Sequence, residues 1–294
     1  MATLAREADA AEAQSDLSTA LARWREIAAL LPPGTGQAHE VEARIVALST
    51  RLDAGPPSGG TGRTGYATIA AAVAGIAWKG KALLAGLAKL PTLLSMAASV
   101  GVYATLFGWQ FAVGLVASLY VHEIGHVVAL RRYGIAATAP MFVPGLGAFV
   151  RLNQYPATPK EDATVGLAGP VWGLGAAAVC AVGWLVTDDG LFAALARIGA
   201  WLNLFNLTPV WQLDGGRGWR ALDRSQRWLA TLALGGAWAW THDPLVLVIT
   251  VVAAVRASIE AAPAVGDRQV LGVYAGLVAA LAALLRWLPD PAAS

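Results

Sequence analysis

Charged residues are scarce in this chain. They make up 14% of its 294 residues, whereas soluble proteins average about 25%. Hydrophobic residues account for 56%, and the mean hydropathy is +0.55. This composition excludes an ordinary soluble enzyme, because too few polar side chains are present to cover a core of that size. It predicts an all-α protein that crosses the membrane several times.

Cysteine is nearly absent as well. The one cysteine, Cys180, lies in an apolar run, which excludes a disulfide framework and a cysteine-based metal site within the chain. The net charge is only +2, which is too small to indicate a nucleic-acid partner. Any functional site must therefore be built from other residue types, and membrane lipid is the expected environment.

Polar residues are concentrated at the N-terminal end. Residues 1–53 combine mixed charges with apolar residues at helical spacing and predict a soluble helical hairpin, the N-terminal head. A Gly/Pro/Ser-rich stretch at 54–65 predicts a flexible linker. Residues 66–91 predict a segment that lies on the membrane surface or is partly inserted, because lysines interrupt it.

The rest of the chain is a succession of apolar runs. Residues 92–216 form the predicted intramembrane core, and 217–294 are predicted to add C-terminal transmembrane helices. About six or seven helices are expected to cross the membrane, with a small membrane-associated β-hairpin between them. The predicted spans lie near 92–108, 109–130, 164–187, 191–211, 228–241, 244–261 and 269–288.

Basic residues flank these spans asymmetrically. Arg131 and Arg132 follow the second span and four arginines follow the fourth, whereas the intervening loops LFGWQ and TDDG contain no Lys or Arg. By the positive-inside rule, the basic ends and the head are predicted to be cytoplasmic. The abundance of Arg, Ala and Gly indicates a bacterial source, so a multi-pass protein of the inner membrane is expected.

The second span carries titratable residues at membrane depth, in the stretch VHEIGHVVAL. An acidic or basic side chain there costs about 2.5–3.5 kcal/mol. His122 and His126 lie four residues apart, so their imidazoles share a helix face and can reach one metal ion, with Glu123 beside the first. This H-E-x-x-H pattern is typical of zinc metalloproteases, in which the glutamate is the general base. A chance pattern, or polar residues hydrogen-bonded within a bundle, is the alternative.

A zinc site of this kind needs a third protein ligand. Glu161 and Asp162 are the nearest acidic candidates along the chain. Asp214 is the stronger candidate, because it ends an apolar run and precedes two glycines that permit a tight turn. Asn203 and Asn206 lie three residues apart on the preceding helix and bring further polar groups to membrane depth.

Three motifs stand out, namely HEIGH, LAGP with Gly169 and Pro170, and N-x-x-P-x-x-x-L-D-G with Asn206, Pro209 and Gly215. Together they resemble the site-2 protease family of intramembrane zinc metalloproteases, over roughly residues 92–216. The resemblance implies one Zn²⁺ held by His122, His126 and Asp214, with Glu123 as catalytic base. The expected activity is hydrolysis of peptide bonds within transmembrane segments, by a compact member without PDZ or CBS domains.

The segment MFVPGLGAFVRLNQYPATPKED separates the second and third spans. GAFVRL alternates in a strand-like way, and the resemblance implies a β-hairpin there that presents an edge to an extended substrate. Gly147 and Phe149 are the residues predicted to make this contact. The resemblance also implies that Asn206 binds the substrate backbone or the oxyanion. A plain amphipathic loop is the alternative to the hairpin.

The expected partners are a transmembrane protein substrate and membrane lipid, with no nucleic acid. The head is a candidate docking site for a cytoplasmic protein. Two other functions fit part of the pattern, namely a metal-ion transporter and a catalytically inactive membrane scaffold. A transporter has no need of Glu123, and a scaffold has no need of the complete set of site residues.

Overall fold

The computed structural model describes residues 1–54, 90–137, 140–144, 147–149, 154–210 and 213–289. Nearly all of the predicted linker and of the surface segment therefore lies outside the described residues. Within them the chain forms helices and one hairpin. In chain order these are α1 Ala2–Ala13, α2 Leu17–Leu30, α3 Gly36–Ala54, α4 Leu90–Phe107, α5 Trp109–Arg132, β1 Met141–Val143, β2 Gly147–Phe149, α6 Pro159–Thr187, α7 Gly190–Asn206, α8 Asp214–Arg220, α9 Arg224–Thr241, α10 Pro244–Ile259 and α11 Arg268–Trp287.

The N-terminal head consists of three helices and not of the predicted two-helix hairpin. α2 and α3 are the predicted pair, and α1 precedes them. The sequence ATLAREADAAEA of α1 favours a helix by its Ala, Glu and Arg content, but its stripe of small residues gives a weak periodic signal. The three helices bury their apolar faces against one another, around Leu21, Ile45 and Leu48.

Each of the seven predicted spans falls on a helix, which confirms the all-α membrane architecture. α5, α6 and α11 are long and apolar enough to cross a membrane, and α4 and α10 are shorter apolar helices. α5 has 24 residues and is therefore about 36 Å long, which exceeds the roughly 30 Å of hydrocarbon in a bilayer. α7 ends at Asn206, short of the predicted boundary, because Pro209 disfavours helix in the residues before it.

α6 is the central helix of the membrane core. It packs against α5, α7, α8 and α11. Small residues allow the backbones to approach closely, since a Cβ added to Gly125 of α5 would lie 2.5 Å from the carbonyl oxygen of Ala168 in α6. This close packing brings polar side chains of α5, α7 and α8 together against α6.

The predicted β-hairpin is present. β1 and β2 pair antiparallel, with Phe142 opposite Ala148. The backbone N–H of Phe142 donates to Ser95 Oγ of α4 at 3.1 Å, and its ring lies 6.3 Å from the ring of Tyr120 in α5. The hairpin therefore lies against the helix that carries the HEIGH motif. Residues 150–152 of the predicted strand lie outside the described residues.

The head is in direct contact with the membrane core, which the sequence did not indicate. Arg25 of α2 is buried and forms an ion pair with the fully buried Glu161 of α6. The phenol of Tyr133, just beyond α5, donates to Asp53 Oδ1 of α3 at 2.5 Å. Burial raises the pKa of Tyr133 above its usual value, so the phenol keeps the proton that it donates. The head is thus docked on the adjoining ends of α5 and α6.

Candidate metal centre

The two histidines of the HEIGH motif lie on one face of α5. The exposed fractions of His122 and His126 are 5% and 8%, and their ring centroids are 4.9 Å apart. Their spacing of one helical turn produces this arrangement. The metal-binding atoms of His122, Glu123 and His126 all lie within 4.8 Å of one another. The motif therefore forms a compact, buried group of potential ligands.

α8 brings Asp214 to the same place. Its Oδ2 lies 3.1 Å from His122 Nε2, and its Oδ1 lies 3.3 Å from His126 Nε2. The two Nε2 atoms are 3.2 Å apart. Asp214 is the first residue of α8, which begins after the loop that follows α7. The structure thus joins residues that are 92 positions apart in the sequence.

The hydrogen bonds of the Nδ1 atoms fix the tautomer of each imidazole. His122 Nδ1 contacts Asn203 Oδ1 at 2.9 Å, and His126 Nδ1 contacts the carbonyl oxygen of Val165 at 2.8 Å. Asn203 Nδ2 donates to the carbonyl oxygen of Gly199, which orients the amide with Oδ1 toward His122. Both acceptors are oxygens without a proton, so each Nδ1 donates, and in its neutral form each imidazole presents the lone pair of Nε2.

Electron-rich atoms therefore converge on one point. Two Nε2 lone pairs and two carboxylate oxygens face one another at 3.1–3.3 Å. Donors arranged tetrahedrally around zinc at its usual bond lengths are about 3.3–3.5 Å apart. The spacing of the residues thus fits a Zn²⁺ ion, and a bound cation would relieve the mutual repulsion of the lone pairs.

Glycines of α6 and α8 allow this convergence. A Cβ added to Gly169 would lie 2.6 Å from His122 Nε2 and even closer to His126 Nε2. One added to Gly173 would lie 2.5 Å from Cγ of Asn203, and one added to Gly215 would lie 2.8 Å from Cα of Leu207. Pro170, inside α6, is the neighbour of the first of these glycines. The Gly169-Pro170 and Gly215 motifs therefore serve close packing at the centre.

The Gly169→Ala variant is expected to displace the imidazoles and lower zinc occupancy. Its methyl group would overlap both Nε2 atoms, and overpacking of this kind costs about 1–3 kcal/mol. Zinc per purified chain, measured by mass spectrometry of the metal, tests the effect. Gly175→Ala in the same helix is the matched control, because a Cβ there meets no atom of the described residues within 4 Å. Equal zinc content in the two variants would contradict the expectation.

The other acidic candidates are engaged elsewhere. The Glu161 carboxylate accepts from Arg25 and from Ser49. Asp162 forms ion pairs with Arg217 at 2.8 Å and Arg220 at 2.6 Å, which tie α6 to α8. Of the acidic residues considered as third ligand, the structure brings only Asp214 to the imidazoles among the residues it describes.

The predicted substrate residues are not among the partners of the two imidazoles in the described part of the chain. Asn206 is half-buried at the end of α7, just before Pro209. Gly147 and Phe149 are the first and last residues of β2. The residue that sequence reasoning left out of the site is Asn203, which contacts His122. Its position three residues before Asn206 was the available signal, but the sequence could not tell which asparagine faces the histidines.

The fold and the site together define a helical membrane protein with a metal site of the zinc-metalloprotease type. Comparison with known proteins shows a similarity to one family. Residues 110–189 match the family model described as "Peptidase family M50", which confirms the predicted resemblance to the site-2 proteases. The matched region includes the HEIGH motif and Gly169 but ends before Asp214. This part of the chain is similar to that family.

Two curated relatives, from two strains of Mycobacterium tuberculosis, carry the name "Putative zinc metalloprotease Rip3". Each is 33% identical to this chain over 135 residues, which are 42% of this chain and 34% of the relative. The chain thus spans about a third of the length of the curated relatives that it matches. No solved structure matches the chain significantly.

The Asn203→Ala variant is expected to bind zinc more weakly. Removing the acceptor of His122 Nδ1 frees the ring to rotate and to change tautomer, and loss of such a partner typically costs about 10–100-fold in metal affinity. Competition with a chelator of known affinity measures the change. Asn206→Ala, three residues later in the same helix, is the control and should keep wild-type zinc affinity. Equal affinities in the two variants would contradict the role given to Asn203.

Proposed function

We propose that the protein is an intramembrane zinc metalloendopeptidase that hydrolyses peptide bonds within transmembrane segments of other membrane proteins. The supporting observation is the convergence of two Nε2 lone pairs and the Asp214 carboxylate in a buried site, with both tautomers fixed by Asn203 and the Val165 carbonyl. The 3.1–3.3 Å spacing of these atoms and the H-E-x-x-H pattern together support a bound cation.

In this proposal His122, His126 and Asp214 hold one Zn²⁺, and Asn203 and the Val165 carbonyl orient the two imidazoles. Zinc in such a site lowers the pKa of bound water toward 7 and polarises a carbonyl group.

Glu123 is the proposed general base. Its carboxylate lies beside the imidazoles, within 4.8 Å of their metal-binding atoms. It takes the proton from the attacking water and delivers it to the leaving amine, so that one carboxylate serves both half-reactions. Since Asp214 contacts both Nε2 atoms, Glu123 remains free for this role.

Substrate binding is assigned to the hairpin and to the end of α7. A transmembrane helix hides its carbonyl groups in hydrogen bonds, so it must open locally before it can be cut. In lipid the freed backbone groups need new partners. Main-chain groups of Gly147 and Phe149 in β2 can pair with an extended segment, and Asn206 can donate to its backbone or to the oxyanion.

The proposed orientation places the metal site toward the cytoplasm. Arg131 and Arg132 end α5, Arg217 and Arg220 pair with Asp162 in the first turn of α6, and the head docks on the same ends. The basic residues thus lie at one end of the helical core, which is the cytoplasmic end by the positive-inside rule. A bacterial inner membrane with the N-terminus inside is the proposed location.

A depth scan of a model substrate tests this function. A helix-destabilising Asn-Pro pair is moved stepwise through a poly-Leu transmembrane segment, and product ends are mapped by mass spectrometry. Cleavage is expected to follow the pair only while it lies at the depth of His122 and His126, in the cytoplasmic half. Equal cleavage of the uninterrupted poly-Leu segment, or cuts confined to the outer half, would contradict both the mechanism and the orientation.

A further inference from the structure

The first two turns of α6 connect the head to the metal site. Val165 supplies the carbonyl oxygen that accepts from His126 Nδ1 at 2.8 Å. Glu161 lies four residues earlier, one helical turn away on the same face. In the helix the Val165 N–H donates to the Glu161 carbonyl, so a displacement of Glu161 is expected to shift the Val165 carbonyl as well.

The head supplies two of the groups that bind the Glu161 carboxylate. Ser49 of α3 donates from Oγ to Oε2 at 2.8 Å, and the guanidinium of Arg25 in α2 donates to Oε1. The backbone N–H of Ala157 adds a third bond at 3.2 Å. The Glu161 side chain is completely buried. Its negative charge is thus stabilised mainly by residues that come from the head.

Arg25 also binds the end of the HEIGH helix. Its Nε donates to the carbonyl oxygen of Tyr133, directly after α5, at 3.0 Å, and its Nη1 donates to that of Tyr155 at 3.3 Å. One planar guanidinium thus joins the end of α5 to the start of α6. These are the helices that carry His126 and its hydrogen-bond acceptor. A lysine could not span these contacts, because it lacks the fixed fork of donors.

The backbone of the head lies directly on the turn that ends α5. Gly134 has a φ of +67°, and a Cβ added there would lie 2.7 Å from Cα of Ala22 in α2. Gln154 donates from Nε2 to the carbonyl oxygen of Arg25 at 3.1 Å. The contact is therefore close-packed and hydrogen-bonded in both directions, which is typical of a permanent interface.

We propose that the N-terminal head is a clamp for the metal site, and that Arg25 is a positioning residue for His126. The guanidinium holds Glu161 and the end of α5 at a fixed separation. The Val165 carbonyl oxygen then stays within hydrogen-bond distance of His126 Nδ1. This inference rests on the proposed function in that His126 is taken as a zinc ligand. It assigns the head to the enzyme core, in addition to any role in docking a cytoplasmic partner.

The rate of zinc loss from the full-length protein tests the clamp. In Arg25→Ala, zinc is expected to pass to an excess of chelator several-fold faster than in the wild type. The effect should be smaller than the roughly 10–100-fold loss seen when a direct partner of a ligand is removed, because Arg25 acts through Glu161 and Val165. The Co²⁺-substituted variant should show an altered visible absorption spectrum, which reports ligand geometry independently of activity. A wild-type rate and spectrum in a folded Arg25→Ala protein would overturn the proposal.

Arg23→Ala is the matched control. Arg23 lies two residues away in α2 and forms ion pairs with Glu7 and Glu26 within the head. Its loss removes a cation from the same helix without touching α5 or α6, so zinc retention should match the wild type. If Arg23→Ala loses zinc as fast as Arg25→Ala, the faster loss reflects a less stable head, and the positioning role of Arg25 is wrong.

Ser49→Ala is a milder second variant for the case in which Arg25→Ala does not fold. It removes one hydroxyl donor from Glu161 and leaves the guanidinium in place. Zinc loss should be faster than in the wild type by a smaller factor. Thr50→Ala, whose hydroxyl donates to the carbonyl oxygen of Val46 within α3, should behave as the wild type. An unchanged rate in Ser49→Ala would count against the clamp.

Cleavage assays on the same proteins separate this inference from the proposed function. If the wild type cuts the model substrate and all head variants keep wild-type zinc kinetics and spectra, the clamp is wrong and the peptidase assignment stands. If the wild type cuts no transmembrane substrate, but Arg25→Ala still loses zinc faster, the clamp is correct and the peptidase assignment fails.

Discussion

Replacing Glu123 by glutamine is expected to abolish peptide-bond cleavage while the protein keeps its zinc. Glutamine has nearly the same shape as glutamate but cannot accept the proton of the attacking water. General-base catalysis contributes about 10²–10⁴-fold to rate, so cleavage of a model substrate should fall at least about 100-fold. Zinc content should equal that of the wild type, because His122, His126 and Asp214 are unchanged.

The same variant separates the peptidase from the two alternative functions. A metal-ion transporter would still move metal after Glu123→Gln, and uptake of radioactive zinc into vesicles measures that. An inactive scaffold would cut no substrate even as the wild type. If Glu123→Gln cleaves the substrate at the wild-type rate, Glu123 is not the general base and another group at the site has that role.

Replacing Asp214 by alanine is expected to remove both zinc and activity. Asp214 is the group that contacts both Nε2 atoms, at 3.1 and 3.3 Å. Without it the site retains two imidazoles and no anionic ligand, which is too few for a stable zinc site. Loss of an outer partner of a ligand alone lowers metal affinity about 10–100-fold. Loss of the ligand itself should therefore leave less than about one tenth of the wild-type zinc in the purified protein, and cleavage should be undetectable.

Asp189→Ala is the control for the loss of a carboxylate. Asp189 caps α7, where its Oδ1 accepts from the backbone N–H of Leu191 at 2.9 Å. Loss of such a cap costs about 1 kcal/mol, so thermal stability should drop slightly and zinc should remain. Full zinc occupancy in Asp214→Ala would mean that another residue is the third ligand.

The sequence predicted the parts of this site that depend on local spacing. The H-E-x-x-H pattern fixes which side chains share a face of α5, and the apolar runs fix the seven helices. Asp214 was selected because its carboxylate ends an apolar run before two glycines. The structure brings it to the histidines from 92 positions away.

Other parts of the site were not predictable, for physical reasons. The Val165 carbonyl is a backbone group and has no signature in the sequence. Choosing Asn203 over Asn206 depends on the rotation of α7 about its axis, which helical periodicity leaves open. Arg25 looked like one arginine among several in a polar helix, because its partners lie 108 and 136 positions away. The separate, tethered head expected from composition is instead packed on the core.

The distance along the chain between Arg25 and Glu161 has a consequence for biosynthesis. The two residues are 136 positions apart, and ribosomes add about 5–20 residues per second. Roughly 7–27 s therefore pass between the synthesis of the guanidinium and that of the carboxylate. During that interval the head can fold around its own apolar core, but Arg25 has no acidic partner because Glu161 has not yet been made. The head can dock only after α5 has been inserted and α6 has begun to form, because both helices contribute to its contact. The part of the chain that is synthesised first is therefore among the last to reach its final position.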